Sequence, residues 1–243
     1  MLDTRLSFRE HLEYAHKRAS ETIRALSRKL LNIRGPRQEW RKLNTSVVSS
    51  QILYAAPVWA EAMTVRSYVW GIEADYRLCA LRTSCAFRTV SDNAALVIAG
   101  LIPLGELVRE KSELGETAQD ETASASARKA AARARSLANW QSLWENSTKG
   151  LWTHRLIPDK GIWTGRKHGE VDFYLTQALS GHGCFRSYLK RFGHEREDGC
   201  PSCGRGVMKD AYHVLFDCWR FDEERTNLEE SLEETFLPVS RCH

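Results

Sequence analysis

The sequence predicts a mainly α-helical protein. Apolar residues recur every three or four positions along most of the chain, and neither a strand-rich block nor an internal repeat is evident. Hydrophobic residues make up 42% of the 243 residues, which is enough to build a core. We expect a helical bundle over 1–111, an exposed helical connector over 112–136, and a small helical module over 137–243 that carries a Cys- and His-containing motif at 200–218.

The first helix is predicted to extend from about residue 8 to residue 33. Ser7 and Glu10 fit a capping box, in which a hydroxyl and a carboxylate each accept a hydrogen bond from a free backbone amide. Gly35 and Pro36 end this helix and begin the next one. The apolar positions that define it are Phe8, Leu12, Ala15, Ala19, Ile23, Leu26, Leu30 and Ile33.

Three more helices are predicted before residue 104. The second continues to Tyr54 and is broken by Pro57, because proline lacks the amide hydrogen that a helix interior requires. A third has its apolar positions between residues 65 and 79, and a short fourth follows Ser91 and stops at Gly100.

Residues 112–136 change in composition. Ala, Ser, Thr, Glu and Arg dominate, and large apolar residues are almost absent. Alanine favours a helix, but without an apolar stripe the helix has little to pack against, so we place a domain boundary here. A helix around Trp140 and Trp144 is expected to lead into the last module, and the acidic segment after Trp219 is predicted to form a helix before Pro238.

Composition argues against a membrane or secreted protein. The formal net charge is +4 and the isoelectric point is about 8.7, a mild excess that permits nucleic acid as a partner without requiring it. Apolar stretches are far shorter than the roughly 20 residues that span a bilayer, and no basic segment followed by an apolar run opens the sequence. We therefore expect a nuclear or cytoplasmic location and seven reduced cysteines.

The most specific motif is Cys200-Pro-Ser-Cys203, followed by His213 and Cys218. Three thiolates and one imidazole favour a structural zinc ion with four protein ligands and no open position for a reactive water. In a continuous helix, side chains five residues apart point about 140° from one another. The segment from His213 should therefore tighten or end near Cys218. The alternatives are four unrelated side chains or a redox dithiol.

The other thiols and histidines fit ordinary roles. Burial explains Cys79 and Cys85, and neither Cys184 nor Cys242 has a partner at metal-binding spacing. His182 lies in a glycine-flanked turn, where it either fixes the turn by a hydrogen bond or contacts a phosphate. We also consider His194 as an alternative metal ligand.

Two regions are basic enough to contact nucleic acid. Residues 1–50 contain eleven Lys and Arg against five Asp and Glu, and residues 149–196 contain nine against four, with aromatic residues between them. Solvated helix faces and core aromatics explain the same pattern without a partner. The candidate nucleic-acid-binding residues are Arg24, Arg28, Arg186, Lys190 and Arg191.

Several catalytic signatures are missing from the sequence. It contains no adjacent pair of aspartates, no glycine-rich phosphate-binding loop, no Gly-x-Ser-x-Gly and no His-Glu-x-x-His. The residues by themselves do not predict an enzyme, and no catalytic residue is assigned.

The order of several short segments resembles the region after the palm in reverse transcriptases of non-LTR (LINE-type) retrotransposons. The matching segments near the start are Leu2-Asp3, Leu6-Ser7-Phe8, His11, Gly35-Pro36, the run Ser49 to Ala60 with its Tyr54-Ala-Ala-Pro57-Val-Trp59 core, Arg88-Thr-Val-Ser91 and Ala99-Gly100-Leu-Ile-Pro103-Leu. Residues 175–185, Tyr188-Leu and Arg191-Phe-Gly, followed by the Cys-Cys-His-Cys set, resemble the carboxyl-terminal knuckle of the same reading frames. This second part is most similar to jockey-like elements and to those that insert into ribosomal DNA.

The resemblance implies a function for each part. Residues 1–111 would be a thumb that grips the primer–template duplex, and the module with zinc at Cys200, Cys203, His213 and Cys218 would bind element RNA or target DNA during target-primed reverse transcription. The parent family is an RNA-directed DNA polymerase, but its fingers, palm and endonuclease have no counterpart in these residues. The resemblance thus implies a non-catalytic fragment, whether a truncated copy, a fragmentary gene model or a remnant put to another use. Its further partner would be the rest of the reverse transcriptase.

Two alternatives remain open from the sequence. One is a zinc-stabilised adaptor whose helices bind a protein partner, which the acidic tail and the modest net charge favour. The other is a non-functional remnant of a retroelement.

Overall fold

The computed structural model describes residues 7–118, 123–166 and 169–232, and it confirms a mainly α fold. The first half is built on three long helices, α1 (Arg9–Ser27), α2 (Gln38–Ile52) and α4 (Arg66–Thr83), which pack on one another. The remaining helices of this half are α3 (Ala56–Trp59), a 3-10 turn (Ala60–Thr64), α5 (Asp92–Ala99) and α6 (Leu104–Glu116).

The start and the end of α1 differ from the prediction. The helix begins at Arg9 after Phe8, whose φ is +56° and whose side chain makes no capping hydrogen bond. Ser7 therefore precedes the N-cap position, and its hydroxyl accepts a hydrogen bond from the amide of Arg9 at 3.4 Å. The helix ends at Ser27 because residues 28–37 turn toward α2, where the guanidinium of Arg41 donates hydrogen bonds to the carbonyls of Leu31 and Pro36.

The second half consists of shorter elements. They are α7 (Ala125–Glu145), α8 (Leu151–Leu156), α9 (Lys160–Gly165), α10 (Phe173–Ser180), α11 (Arg186–Arg191), β1 (Gly199–Cys200), β2 (Gly204–Met208), a π-helical turn (His213–Asp217), a 3-10 turn (Trp219–Phe221) and α12 (Asp222–Leu232). Strands β1 and β2 form an antiparallel hairpin with an irregularity between Gly199 and Cys200.

Most side chains between residues 123 and 136 are exposed, but one face of α7 packs on α6. Ala132 and Ser136 are buried, since small side chains allow two helices to approach closely. Ion pairs border this contact: Arg133 lies 3.0 Å from Glu110, and Arg135 pairs with Glu113. A polar, alanine-rich face thus packs through small residues and charge pairs instead of an apolar stripe.

One cluster of buried hydrophobic residues extends through both halves. Leu12 and Ile72 of the long helices belong to the same cluster as Trp144 and Leu179. Trp144 is fully buried, and its indole Nε1 donates a hydrogen bond to the carbonyl of Ile157 at 2.8 Å. Over the residues that the structure describes, no helix is both long and apolar enough to cross a membrane.

Candidate metal centre and nucleic-acid interface

A short hairpin positions the first two candidate ligands. Cys200 ends β1, Cys203 ends the following turn, and Cys200 pairs across the hairpin with Gly204. The φ of Gly204 is +102°, a backbone conformation that favours glycine and that lets the chain reverse directly after Cys203. Cys200 is buried and Cys203 is half-buried. Both thiols point toward the other two candidate ligands, since the four ligand atoms lie within 4.8 Å of one another.

A π-helical turn positions the other two candidate ligands. The amide of Cys218 donates to the carbonyl of His213 at 2.7 Å, the five-residue hydrogen bond of a π-helix. This wider turn brings His213 and Cys218 to one side, which an α-helix does not do. The helical segment ends at Cys218, as predicted, but it widens before that residue instead of tightening.

The distances among the four side chains fit a tetrahedral zinc ion. The sulfur of Cys218 lies 3.7 Å from the sulfur of Cys200 and 3.7 Å from that of Cys203. A zinc–sulfur bond of about 2.3 Å gives a tetrahedron edge of about 3.8 Å, whereas a disulfide requires about 2.05 Å. All four ligand atoms lie within 4.8 Å of one another.

His213 supplies independent support for a cation. Its Nε2 is buried and has no hydrogen-bond partner among the described residues. A buried polar nitrogen without a partner is unfavourable, and coordination of a metal ion satisfies it. The set of three sulfurs and one imidazole is also the chemistry that zinc prefers. The cluster is therefore compatible with zinc.

The thiols of the cluster differ in their acidity. Burial raises the pKa of Cys200, but hydrogen bonds from the backbone amides of Cys203 and Ser202, together with the neighbouring side chain of His213, outweigh it and lower the pKa to about 6. Burial raises the pKa of Cys218 to about 11, and the nearby Cys200 adds to this rise because a second negative charge beside it is unfavourable. A divalent cation removes this conflict, since it stabilises all the thiolates together.

Groups around the cluster hold the ligands in place. The indole of Trp219 donates to the carbonyl of Ser202 at 3.1 Å, which ties the π-helical turn to the Cys200–Cys203 turn. Arg225 of α12 donates to the carbonyl of Cys218 at 2.7 Å. The sequence motif does not identify Arg225, because its link to the cluster runs through backbone carbonyls across a turn.

Two of the predicted nucleic-acid residues make contacts within the molecule. Arg186 donates to the carbonyl of Gly199 at 2.9 Å and lies 3.3 Å from Glu195, so it holds α11 against the hairpin. Lys190 pairs with Asp198 at 2.9 Å. These two cations have structural partners, which reduces the charge that they offer to a phosphate.

The other three predicted residues are more available for contact with a phosphate. Arg24 is exposed on α1 and Arg28 is exposed directly after it, and neither has an acidic partner in the parts of the chain that are described. Arg191 is exposed, with its guanidinium 5.8 Å from the ring centre of Phe192. The structure therefore brings the four candidate metal ligands together but distributes the basic residues between the end of α1 and α11.

Comparison with known proteins gives one relative of this chain. The chain is similar to the retrovirus-related Pol polyprotein from type-1 retrotransposable element R1 2 of Nasonia vitripennis, with 28% identity over 93% of the chain. This similarity supports an origin in a non-LTR retrotransposon. The chain spans 58% of the length of that polyprotein. No protein-family model and no solved structure gives a significant match.

The remaining cysteines and histidines of the described residues lie outside the cluster. Cys79 and Cys85 are buried, as predicted, Cys184 is exposed, and Cys242 falls outside the described residues. His194 is exposed and is not one of the four clustered groups.

His182 connects distant parts of the chain. Its Nδ1 lies 3.0 Å from the hydroxyl of Thr89, and its ring packs on Tyr188 at 4.9 Å between centroids. The His182 side chain thus links its turn to the segment before α5. One of the two expectations was a hydrogen bond within the turn itself.

Proposed function

We propose that this chain is a nucleic-acid-binding part of a non-LTR retrotransposon polyprotein, of the jockey-like or ribosomal-DNA-inserting group. The observation that carries the proposal is the clustering of Cys200, Cys203, His213 and Cys218 within 4.8 Å of one another, in a chain similar to a retrotransposon Pol polyprotein. In this account residues 1–111 act as a thumb-like bundle, and the zinc-bound module contacts element RNA or target DNA during target-primed reverse transcription.

Zinc has a structural role in this proposal. Strands β1 and β2 have only two and five residues, and the π-helical turn has five, so these elements bury little surface of their own. An ion bound by four side chains supplies the folding free energy that such small elements lack. With all four positions taken by protein ligands, the ion has no open position for a substrate.

Binding is expected to depend on phosphate neutralisation by exposed cations. Arg24, Arg28 and Arg191 are the predicted residues without a carboxylate partner among the described residues. The chain itself is assigned no catalytic residue. RNA-directed DNA polymerase activity is proposed for the larger polyprotein, to which the thumb-like bundle and the zinc module contribute binding.

The salt dependence of binding tests the proposal. We expect fluorescence anisotropy with a labelled single-stranded RNA or DNA to show affinity that falls steeply as salt rises. The log–log slope should be about −0.7 for each phosphate that is neutralised. A slope near zero would contradict nucleic-acid binding.

A charge-reversal variant identifies the residues responsible. Replacing Arg24, Arg28 and Arg191 by Glu should weaken retention of RNA or DNA and flatten the salt slope. Arg186 and Lys190 are left unchanged here, because their loss also disturbs the hairpin. The control variant has the same change in charge at three other positions, Arg66, Lys111 and Lys129. These cations are also exposed and have no acidic partner in the described parts of the chain.

An adaptor that binds a protein is a second candidate function. Helix α2 exposes apolar side chains at helical spacing: Trp40 is 62% exposed, Leu43 53% and Val47 44%. An exposed apolar row of this kind favours contact with another protein. Unchanged retention of nucleic acid after the Arg24, Arg28 and Arg191 reversals would favour this function over the first.

A further inference from the structure

Two neighbouring cavities meet at Asn32, in the loop between α1 and α2. The first, which we call the arginine cavity, has a volume of about 310 Å³ and is lined by the loop residues 32–38 with Arg34, Arg37 and Arg41, by Cys85, and by residues 170–174. The second, which we call the base cavity, has a volume of about 480 Å³ and is lined by Asn32, Leu78, Leu81, Arg82, Ala86, Phe87 and Arg88. Both volumes lie in the range of small-molecule sites.

We propose that these two cavities together bind one unpaired nucleotide of a single-stranded nucleic acid, with its base in the base cavity and its phosphate in the arginine cavity. This inference rests on the proposed function, and it adds a defined binding site that the sequence did not predict.

The base cavity combines apolar walls with unpaired polar atoms. Leu78, Leu81 and Phe87 provide flat or apolar surface of the kind that accepts a base. The Nε of Arg82 and the Oδ1 of Asn32 are buried and have no hydrogen-bond partner among the described residues. One is a donor and the other an acceptor, which is the pair of groups that the edge of a base can satisfy.

The arginine cavity offers buried donors to an anion. Arg41 is 2% exposed, and its guanidinium donates to the carbonyls of Leu31, Pro36 and Arg82 but pairs with no carboxylate in the described residues. Gln38 is 6% exposed, and its Nε2 has no partner there. A buried cation without a counter-ion is unfavourable, and a phosphate beside it supplies the missing charge.

Two carboxylates also line the arginine cavity, and both already have partners. Glu170 lies 3.7 Å from Arg37, and an oxygen of Asp172 accepts a hydrogen bond from the amide of Leu175 at 2.7 Å. Arg34 and Arg88 are exposed at the two cavities and have no acidic partner in the described parts of the chain. The joint site therefore has a net positive charge.

An aromatic path connects the two cavities. The ring centroids of Phe87 and Phe173 lie 5.6 Å apart, and those of Phe173 and Tyr174 lie 5.5 Å apart. Tyr174 is 68% exposed, so its ring is available to a neighbouring base. Since a base must leave its stack and its partner to enter a recess, the site selects unpaired nucleotides over a duplex.

An abasic strand provides the direct test. Anisotropy titrations of the full chain compare a labelled 12-nucleotide single strand with a strand of equal charge that lacks all bases. We expect the base-bearing strand to bind about tenfold more tightly, the equivalent of one stacked or hydrogen-bonded base. This comparison needs no variant, so it does not depend on whether a variant folds.

Matched variants then assign the difference to the cavities. Asn32→Leu and Arg82→Met each remove a hydrogen-bonding group at similar side-chain size, and both should reduce the tenfold ratio toward one. The controls Asn227→Leu and Lys129→Met remove an amide and a positive charge at exposed positions outside the cavities and should preserve the ratio.

The outcomes separate this inference from the function on which it rests. Salt-dependent binding with equal affinity for both strands, or a ratio that neither cavity variant changes, overturns the nucleotide site and leaves the proposed function standing. Absence of binding to any strand overturns both.

Discussion

The sulfur of Cys200 lies 3.7 Å from the sulfur of Cys218, and the two residues come from different elements. Cys200 belongs to the hairpin, whereas Cys218 follows the π-helical turn in an extended conformation. Each element contributes two of the four ligands, so neither element forms the site alone. An ion bound at the centre of the cluster would join the two elements, and this is why metal binding and folding of the module are expected to be coupled.

Arg225 is expected to tune the affinity for zinc without touching the ion. Its guanidinium donates to the carbonyl of Cys218, so Arg225→Ala should loosen the orientation of that ligand and weaken zinc binding about 10- to 100-fold. Competition with a chromophoric chelator measures the change. Arg220→Ala, at an exposed neighbouring position, is the control and should leave the affinity unchanged. Equal affinities for the two variants would show that Arg225 does not support the site.

Trp144 is expected to stabilise the contact between the two halves of the chain. It is fully buried, and its indole is hydrogen-bonded to Ile157, so Trp144→Ala should lower the free energy of unfolding by about 3–5 kcal/mol. Urea denaturation followed by circular dichroism measures this loss. Trp70 is 68% exposed, and Trp70→Ala should change the same free energy by no more than about 0.5 kcal/mol. A small effect at Trp144 would argue against a shared core.

Alkaline pH is expected to destabilise the helical bundle through Cys79. Burial raises the pKa of its thiol from 9.0 to about 12. The folded state therefore holds this proton more tightly than the unfolded state does. The contribution of the protonated thiol to the free energy of unfolding is complete below pH 9 and is lost as pH rises toward 12. The expected slope is about 1.4 kcal/mol per pH unit in that window.

Unfolding free energies measured at several alkaline pH values test this pH dependence. Cys79→Val should make the slope shallower because it removes the titrating group from the core, whereas Cys184→Val changes an exposed thiol and should not. Burial also raises the pKa of Tyr76, so some slope remains in the Cys79 variant. Identical slopes for the two variants would contradict the assignment.

The sequence predicts the parts of this structure that depend on short-range patterns. Helical periodicity identifies the three long helices, and the Cys-x2-Cys pair with His213 and Cys218 identifies the four groups that the fold brings together. The burial of Cys79 and Cys85 also follows from the general tendency of free cysteine to be buried.

Features that depend on distant contacts could not be predicted in this way. The packing of α7 rests on small residues and on pairs such as Arg133–Glu110, which have no apolar signature. The charge count does not show that Arg186 and Lys190 pair with acidic neighbours. Nor does it show that Arg41, although basic, is buried between carbonyls at the wall of a cavity.

The metal content of the purified chain tests the central claim most directly. Inductively coupled plasma mass spectrometry gives the zinc concentration, and its ratio to the protein concentration should be one zinc ion per chain. The variant Cys200→Ser should lose most of that zinc, whereas Cys184→Ser, at an exposed cysteine outside the cluster, should retain it. A native chain without stoichiometric zinc, or equal zinc contents in the two variants, would contradict the account.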